Sequence, residues 1–359
     1  MKVFLAGTSF RPEYGGPAYS VARLATALSE AGVEVGIWAP DQSTADTILL
    51  AADAPVQRLT GEASKALESF GKIDVLHDNG IWRSHNHRLA QLTRKRGIPR
   101  VVSTRGMLEP WAMNHKRSKK RLAWWLYQRR DLARARYHHA TSDVEAKNLE
   151  CLGLAVPVEV IANGVDLPRP PPNECAADRN CRTAVFLGRL YPVKGLPMLI
   201  EAWSRVRPQG WRLQIAGPDE AGHRATLENA VSGARLQDYI SFVGPVAGDE
   251  KSAFLHNADL FVLPTYSESF GVAIGEALAH GLPVLTTKAA PWPMLPERGC
   301  GWWVEPNVEG IAEGLRQATS VDSASLQAMG AKGRGFVATA FSWEKVAKLF
   351  ISLYQQVAL

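Results

Sequence analysis

Short apolar runs alternate with longer stretches of helical periodicity along most of this chain. Residues 2–7, 33–38, 73–77, 100–103, 138–141 and 158–162 read as buried strands in the first half, and residues 183–187, 211–217, 240–244, 258–263 and 284–286 in the second. Between them, apolar positions recur at helical spacing at 18–30, 196–205 and 272–281, and again in the last segment, 343–357, where Val346, Leu349, Phe350, Leu353 and Tyr354 share a face. A further helix starts at Ser142, with Glu145 three residues on as a capping box. Near-continuous apolar strands alternating with helices predict parallel sheets covered on both faces, an α/β fold. The proline-rich stretch from Leu167 to Arg182, with Pro168, Pro170, Pro171 and Pro172, cannot continue a helix or a central strand. It divides the chain into domains at 1–166 and 183–340, with 341–359 as a terminal helix.

The strongest local signal follows the 258–263 strand. The chain breaks at Pro264, forms a polar loop holding Glu268, and reaches Ser269-Phe270-Gly271-Val272. A helix carrying Glu276 begins there and ends at Gly281, with Pro283 beyond it. Gly271 permits close backbone approach. The helix start directs unpaired N–H groups to the carboxyl end of the sheet, where open parallel sheets bind ligands and where a phosphate is well received.

A second signal is Gly188-Arg189-Leu190-Tyr191-Pro192-Val193-Lys194-Gly195, between a strand and a helix. It is not a P-loop, but a planar guanidinium and a mobile ammonium in a glycine-bounded loop suit a diphosphate. In the first half, Gly15-Gly16 follows the first strand without the G-x-G-x-x-G spacing of a dinucleotide site. The strand ends at 78–82 and 104–107 bring Asp78, Asn79 and Arg105 to the same side of a parallel sheet.

The pair Glu268 and Glu276, with the intervening Ser-Phe-Gly and the following Ala-Leu-Ala-His-Gly-Leu-Pro-Val, resembles the signature of retaining glycosyltransferases of GT-B fold, family 4. The resemblance covers nearly the whole chain and is strongest from Gly188 to Leu285. It implies two Rossmann-like domains facing each other across a cleft. The N-terminal one would bind the acceptor and the C-terminal one the nucleotide sugar, with the terminal helix crossing back to the first. By resemblance, Glu268 lies near the donor sugar and Glu276 holds the ribose. Arg189 and Lys194 hold the donor phosphates, Gly15 and Gly16 offer amides to the distal phosphate, and Val243 and Gly244 face the base. Phe270, Gly271 and Val272 complete the donor site, and Glu268, Arg189 and Lys194 are the expected catalytic groups. Many family members place a histidine near the second of the first-half loops, where this chain has Arg105. Asp78, Asn79 and Arg105 are the candidates for the acceptor.

Composition and charge refine this picture. The 359 residues are long enough for two domains, and no apolar run is long enough to span a bilayer. Residues 1–6 read as a strand and not as a signal peptide. Cys151, Cys175, Cys181 and Cys300 show no paired spacing and suggest reduced thiols in a cytosolic protein. The net charge of +6 is concentrated between His115 and Arg136. In this segment Leu122, Trp125, Leu126 and Arg129 share a helical face among basic residues. Lys119, Lys120, Arg121, Trp124 and Trp125 are candidates for contact with an anionic membrane; the alternative is a core-packed helix with a charged outer face. No nucleic-acid motif accompanies the charge, so no nucleic-acid partner is expected.

The expected activity is retaining transfer of a hexose from a nucleotide-diphosphate sugar, with GDP-mannose ahead of a UDP-sugar. The acceptor would be a saccharide or a lipid-linked saccharide of surface polysaccharide, lipopolysaccharide or O-antigen synthesis, at the cytoplasmic membrane face. The chain contains no Asp-x-Asp, and neither a metal nor another cofactor is required by this scheme. The alternatives are a sugar-nucleotide epimerase, a soluble transferase acting on a small molecule, and a non-catalytic nucleotide-sugar-binding protein.

Overall fold

The computed structural model describes residues 1–114, 117–168 and 181–359. His115, Lys116 and most of the proline-rich stretch, with Cys175, lie outside the described residues. The chain forms two compact units, Met1–Gly164 with Phe341–Leu359, and Val165–Ala340.

The first unit contains a seven-stranded sheet of β1 (Lys2–Ala6), β2 (Glu34–Trp38), β3 (Val56–Leu59), β4 (Val75–Asn79), β5 (Arg100–Ser103), β6 (Tyr137–Ala140) and β7 (Val158–Val160). All pairings are parallel, in the order β3-β2-β1-β4-β5-β6-β7. The second unit contains β8 (Arg182–Leu187), β9 (Trp211–Ala216), β10 (Ile240–Gly244), β11 (Leu260–Leu263), β12 (Val284–Thr287) and β13 (Gly301–Val304). Its order is β10-β9-β8-β11-β12-β13, again all parallel. Both sheets reverse direction of growth beside their first strand, the doubly wound arrangement of nucleotide-binding folds. The switch points therefore lie beyond β1 and β4 in one unit and beyond β8 and β11 in the other.

Strand alternation builds the two layers of the first unit. Val3 and Leu5 of β1 enter one apolar cluster with the helices Gly16–Glu30 and Trp343–Ala358. Phe4 and Ala6 enter the opposite cluster with the helix Ala63–Phe70. The terminal helix buries Val346, Phe350, Leu353 and Tyr354 against this unit, whereas Leu349, expected on the same face, is exposed. Trp343 sits flat against Gly164, where a Cβ would come within 2.2 Å of its ring.

A buried hydrogen-bond chain also fastens that helix to three strand residues and to the carbonyl just beyond β7. Tyr354 Oη lies 2.7 Å from His77 Nδ1, and His77 Nε2 lies 2.6 Å from Ser103 Oγ. Ser103 Oγ lies 2.5 Å from His139 Nδ1, and His139 Nε2 lies 2.8 Å from the Ile161 carbonyl. That carbonyl only accepts, so His139 Nε2 carries the proton and every other donor follows in sequence: Ser103 donates to His139, His77 to Ser103, and Tyr354 to His77. Both histidines are neutral in this chain, because burial drives His77 well below the ordinary histidine value and His139 down to about 4.

Three expectations need correction. The strand expected at 73–77 runs instead to Asn79, so Asp78 and Asn79 are buried strand residues and not loop residues. Ser142 accepts from the Glu145 N–H at 3.2 Å, but the Glu145 carboxylate does not complete a capping box. It takes the Thr141 N–H and hydroxyl, both at 2.8 Å, and the Thr104 hydroxyl and Gly106 N–H, both at 2.7 Å. Burial opposes its charge, but these bonds outweigh burial and hold the carboxyl below its ordinary range.

The third correction concerns the basic segment, which is helical at Arg117–Ala123, π-helical at Trp124–Gln128 and helical again at Arg129–Ala133. Its apolar face is not packed into the core: Leu122 is 62%, Trp125 82% and Leu126 65% exposed. The inward side mixes polar groups with the apolar Trp124 and Leu132. Gln128 accepts from the Trp82 N–H, and Tyr127 donates to the Trp82 carbonyl. Trp124 and Lys120 also turn inward: Trp124 packs on Trp82, and Lys120 bonds the Ala112 carbonyl and lies over the Trp82 ring.

Tyr354→Phe leaves the buried His77 Nδ1 without its donor and is expected to destabilise the protein by about 1–3 kcal/mol. Urea unfolding followed by circular dichroism measures this, and an unchanged midpoint would show that the chain of bonds does not hold the helix.

Candidate functional site

In the second unit, the loops beyond the two switch-point strands are bonded to one another. β8 leads into Gly188–Gly195, in which Pro192–Lys194 form one 3₁₀ turn. β11 leads into Pro264–Gly271. The Tyr266 N–H and the Thr265 hydroxyl both donate to the Val193 carbonyl, at 2.8 and 3.1 Å. Gly195 adopts φ +68°, and a Cβ there would lie 1.9 Å from the Pro264 carbonyl oxygen. Only glycine meets both demands at once. The third loop, beyond β12, joins from the other side: Glu268 N–H donates to the Ala289 carbonyl at 3.1 Å, and Trp292 Nε1 donates to the Phe270 carbonyl at 2.5 Å.

This stitching aims two charged side chains at one point. Lys194 Nζ lies 2.5 Å from Glu268 Oε1, with the side chains 17% and 12% exposed. Residues 74 apart in sequence thus form a largely buried ion pair at the carboxyl edge of the sheet. Gly271, at φ +83°, is the N-cap of the helix Val272–Ala279 and supplies no capping side chain. The first N–H groups of that helix have no intrahelical acceptors and carry partial positive charge. Glu276 lies one turn further on and pairs with Lys251 of the helix Gly248–His256, Nζ to Oε1 2.8 Å.

The remaining sequence-derived donor residues are dispersed around this centre. Arg189 does not join the Lys194–Glu268 pair; its guanidinium is half exposed and bonds Glu220 at 2.6 Å. An exposed pair of this kind contributes about 0.2–1 kcal/mol, so releasing Arg189 to another anion costs little. Val243 is 48% exposed at the end of β10, and Gly244, at φ +92°, accepts from the Gly217 N–H at 2.8 Å. Lys251, Ala289 and Trp292 were not singled out as site residues. Lys251 sits in an ordinary polar helix with no motif to mark it, and Ala289 contributes only a carbonyl.

The candidates in the first unit behave differently. Gly15, at φ +81°, is the N-cap of the helix that begins at Gly16, and a Cβ at Gly15 would meet open space. Asp78 is withdrawn as an acceptor ligand. It is 1% exposed, receives Asn86 Nδ2 at 2.7 Å and pairs with Arg100 at 3.3 Å. Burial raises its carboxyl to about 7 against the pull of Arg100 and Asn86. Asn79 is buried too, and its Oδ1 accepts from Arg105 Nε and Nη2 at 3.2 and 2.6 Å. Arg105, at φ +52°, also donates to Asn163 Oδ1 at 2.8 Å. Burial lowers its guanidinium to about 10, which leaves it charged at neutral pH. Asn79 therefore orients Arg105, and Arg105 is the group that offers charge. Among the described residues, no group of three histidine, cysteine or acidic side chains is placed to hold a metal ion.

Residues 15–164 match the family described as glycosyl transferase 4-like domain, and residues 181–320 match the glycosyl transferases group 1. The chain is 30% identical over 231 residues to a putative colanic acid biosynthesis glycosyltransferase, WcaL, of Salmonella typhimurium, covering 60% of this chain and 55% of that protein. The chain thus spans little more than half the length of that relative. It is 28% identical over 298 residues to the GDP-mannose:cellobiosyl-diphosphopolyprenol alpha-mannosyltransferase of Xanthomonas campestris, covering 81% of this chain and 76% of that one. Among solved structures, sucrose-phosphate synthase from Thermosynechococcus elongatus superimposes with a TM-score of 0.82 at 21% identity, covering 99% of this chain and 98% of that chain. Anabaena HepE, in complex with UDP and glucose, gives 0.79 at 18% identity, covering 99% and 100%. At these identities the structural likeness establishes the fold.

Gly195→Ala places a Cβ against the Pro264 carbonyl and forces a left-handed backbone, a strain of about 1–3 kcal/mol before any steric relaxation. The expected result is a lower unfolding temperature, read by calorimetry. Wild-type stability in this variant would mean that the two loops are not held at the described separation.

Proposed function

The chain belongs to the GT-B glycosyltransferases, and on that premise we propose that it transfers a hexose, with retention, from a nucleotide-diphosphate sugar to a saccharide or lipid-linked saccharide. The observation that carries this reading is the Lys194–Glu268 pair beside the uncapped start of the helix Val272–Ala279. The donor diphosphate takes Lys194 from Glu268, with Arg189 as a second cation. Glu268, released from its partner, turns to the sugar. The bond from C1 to the phosphate oxygen breaks, and the nucleoside diphosphate leaves with the bonding electrons. The acceptor oxygen forms the new bond to C1 on the face that the leaving group vacates, and its proton passes to a phosphate oxygen. Fixed positive potential at the leaving group favours the transition state over the ground state, because the charge there grows during cleavage.

Glu276 is assigned to the ribose, and Lys251 holds its carboxylate in place until the nucleotide arrives. Gly15 and Gly16 are assigned to the distal phosphate, and Arg105 to an anionic part of the acceptor. GDP-mannose is the first donor to test, supported by the donor that the name of the Xanthomonas relative gives. The surface-polysaccharide pathway is supported in the same way by the WcaL likeness. No helix among the described residues is long and apolar enough to cross a membrane. The exposed Leu122, Trp125 and Leu126, flanked by Lys119, Arg121 and Arg129, support peripheral attachment to an anionic leaflet, where a lipid-linked acceptor would be met.

Two variants test the donor site. Lys194→Ala is expected to lower turnover by about 10²–10³, the range for removing one preorganised charge-stabilising donor. Glu268→Gln removes the carboxylate that competes for Lys194. Nucleoside diphosphate is then expected to bind more tightly, by roughly 1.4 kcal/mol or tenfold, while turnover falls. Calorimetry with GDP and UDP, together with a transfer assay, measures both quantities. Wild-type turnover in Lys194→Ala, or weaker nucleotide binding in Glu268→Gln, would overturn the exchange of partners.

The membrane reading predicts that Trp125→Ser/Leu126→Ser lowers affinity for phosphatidylglycerol vesicles, read by flotation, by at least about a hundredfold, since burying apolar side chains contributes about 1.5–3 kcal/mol each. Equal flotation of wild type and variant would remove it.

A further inference from the structure

The basic crossover between β5 and β6 ends at a cavity that no step of the proposed reaction uses. The cavity has a volume of about 560 Å³ and opens in the first unit, at the amino-terminal edge of the sheet. This is the edge opposite the loops that carry Gly15 and Arg105. It is bounded by the end of the helix Ser84–Arg96, the start of β5, the turn before β6 and the last residues of the terminal helix.

Its charged lining is Arg94, Arg100, Arg130, Asp131, Arg134 and Arg136. The two inner groups are already committed. Arg100 pairs with Asp78 and bonds the Asp131 carbonyl, and the Asp131 carboxylate holds His87 Nδ1 at 2.5 Å. Among the described residues, Arg94, Arg130, Arg134 and Arg136 form no ion pair, and all four are exposed. Residues 117–136 carry eight lysines and arginines against one acid, so their net charge of +7 exceeds the +6 of the whole chain. Arginines near helix carboxyl ends favour the helix dipole, which accounts for the sign of charge at Arg94, Arg130 and Arg134. It does not account for Arg136, which precedes a strand, or for a shared concavity. Several like charges around one cavity repel each other until an anion enters, and guanidinium forks match phosphate oxygens in pairs.

We propose that this cavity is a second anion site, one that takes a phosphate-bearing ligand and is separate from the donor-phosphate site of the second unit. The phosphate comes either from a soluble compound or from an anionic lipid headgroup, and the experiment separates the two.

The probe is inorganic pyrophosphate, added to this chain carrying Lys194→Ala and Arg189→Ala, which removes both cations assigned to the donor phosphates. Its unfolding temperature is expected to rise with pyrophosphate. The rise is expected to vanish when Arg94→Gln and Arg134→Gln are added. These exposed substitutions relieve repulsion, so the unliganded protein should keep its unfolding temperature. In parallel, the wild type and Arg94→Gln/Arg134→Gln are sedimented with phosphatidylcholine vesicles, with and without phosphatidic acid. An arginine-dependent pyrophosphate shift, together with loss of phosphatidic-acid binding by at least about tenfold at about 1 kcal/mol per arginine, supports the site with a lipid headgroup as ligand. The same shift with vesicle binding unaffected supports the site with a soluble ligand. No shift with pyrophosphate, or an equal shift with and without the two arginines, overturns the proposal.

Discussion

The functional end of the second unit depends on one close approach, that of Gly195 to the Pro264 carbonyl. A side chain at position 195 would push the loop beyond β8 away from the loop beyond β11. The Val193 carbonyl would then lose its two donors, and Lys194 would lose Glu268. The doubly wound sheet brings these loops to the same edge because β8 and β11 are neighbours at the switch point. Topology thus sets which loops meet, and the absent Cβ sets how closely.

That closeness shapes the chemistry proposed for the site. An ammonium and a carboxylate with little exposure would be poorly solvated apart, so each satisfies the other while the site is empty. A diphosphate is a stronger partner for the lysine than a carboxylate is, and the uncapped helix start after Gly271 adds amides on the same side. In the proposed reaction, binding of the donor exchanges partners and does not require a charge to be stripped bare. The Glu276–Lys251 pair repeats the arrangement one helical turn away. Arg105 follows a different rule: it is fixed by the neutral oxygens of Asn79 and Asn163, so its charge remains available.

Much of the fold was legible because buried parallel strands are written as largely apolar runs, as in β1, β8 and β11. Others were not. β3 has only four residues, two of them polar, and lies at the sheet edge, where one side of the strand has no neighbour to demand apolar contacts. Asp78 was misread because a charged residue at the end of an apolar run looks like the start of a loop. Its partners, Asn86 and Arg100, come from a helix and a neighbouring strand, and nothing in the local pattern announces them. The segment containing Trp125 has the periodicity of an amphipathic helix, but periodicity does not say whether the apolar face meets a core or faces outward.

By itself, the sequence determined the element types, the division near the prolines, the glycine-bounded loops and the family to which the chain belongs. Each of these is a matter of local pattern: hydrophobic period, backbone permissiveness, or motif spacing. Only the tertiary structure decided which charges are spent and which remain available. Asp78 is consumed by Arg100, Glu145 by the Thr104–Gly106 loop, and Lys194 by Glu268. Arg105 and, at the sheet-edge cavity, Arg94, Arg130, Arg134 and Arg136 keep their charge unpaired by any carboxylate among the described residues. The physical reason is that an ion pair forms between groups within a few ångströms of each other, and residues that far apart in sequence are brought to that distance only by strand order and the depth of burial.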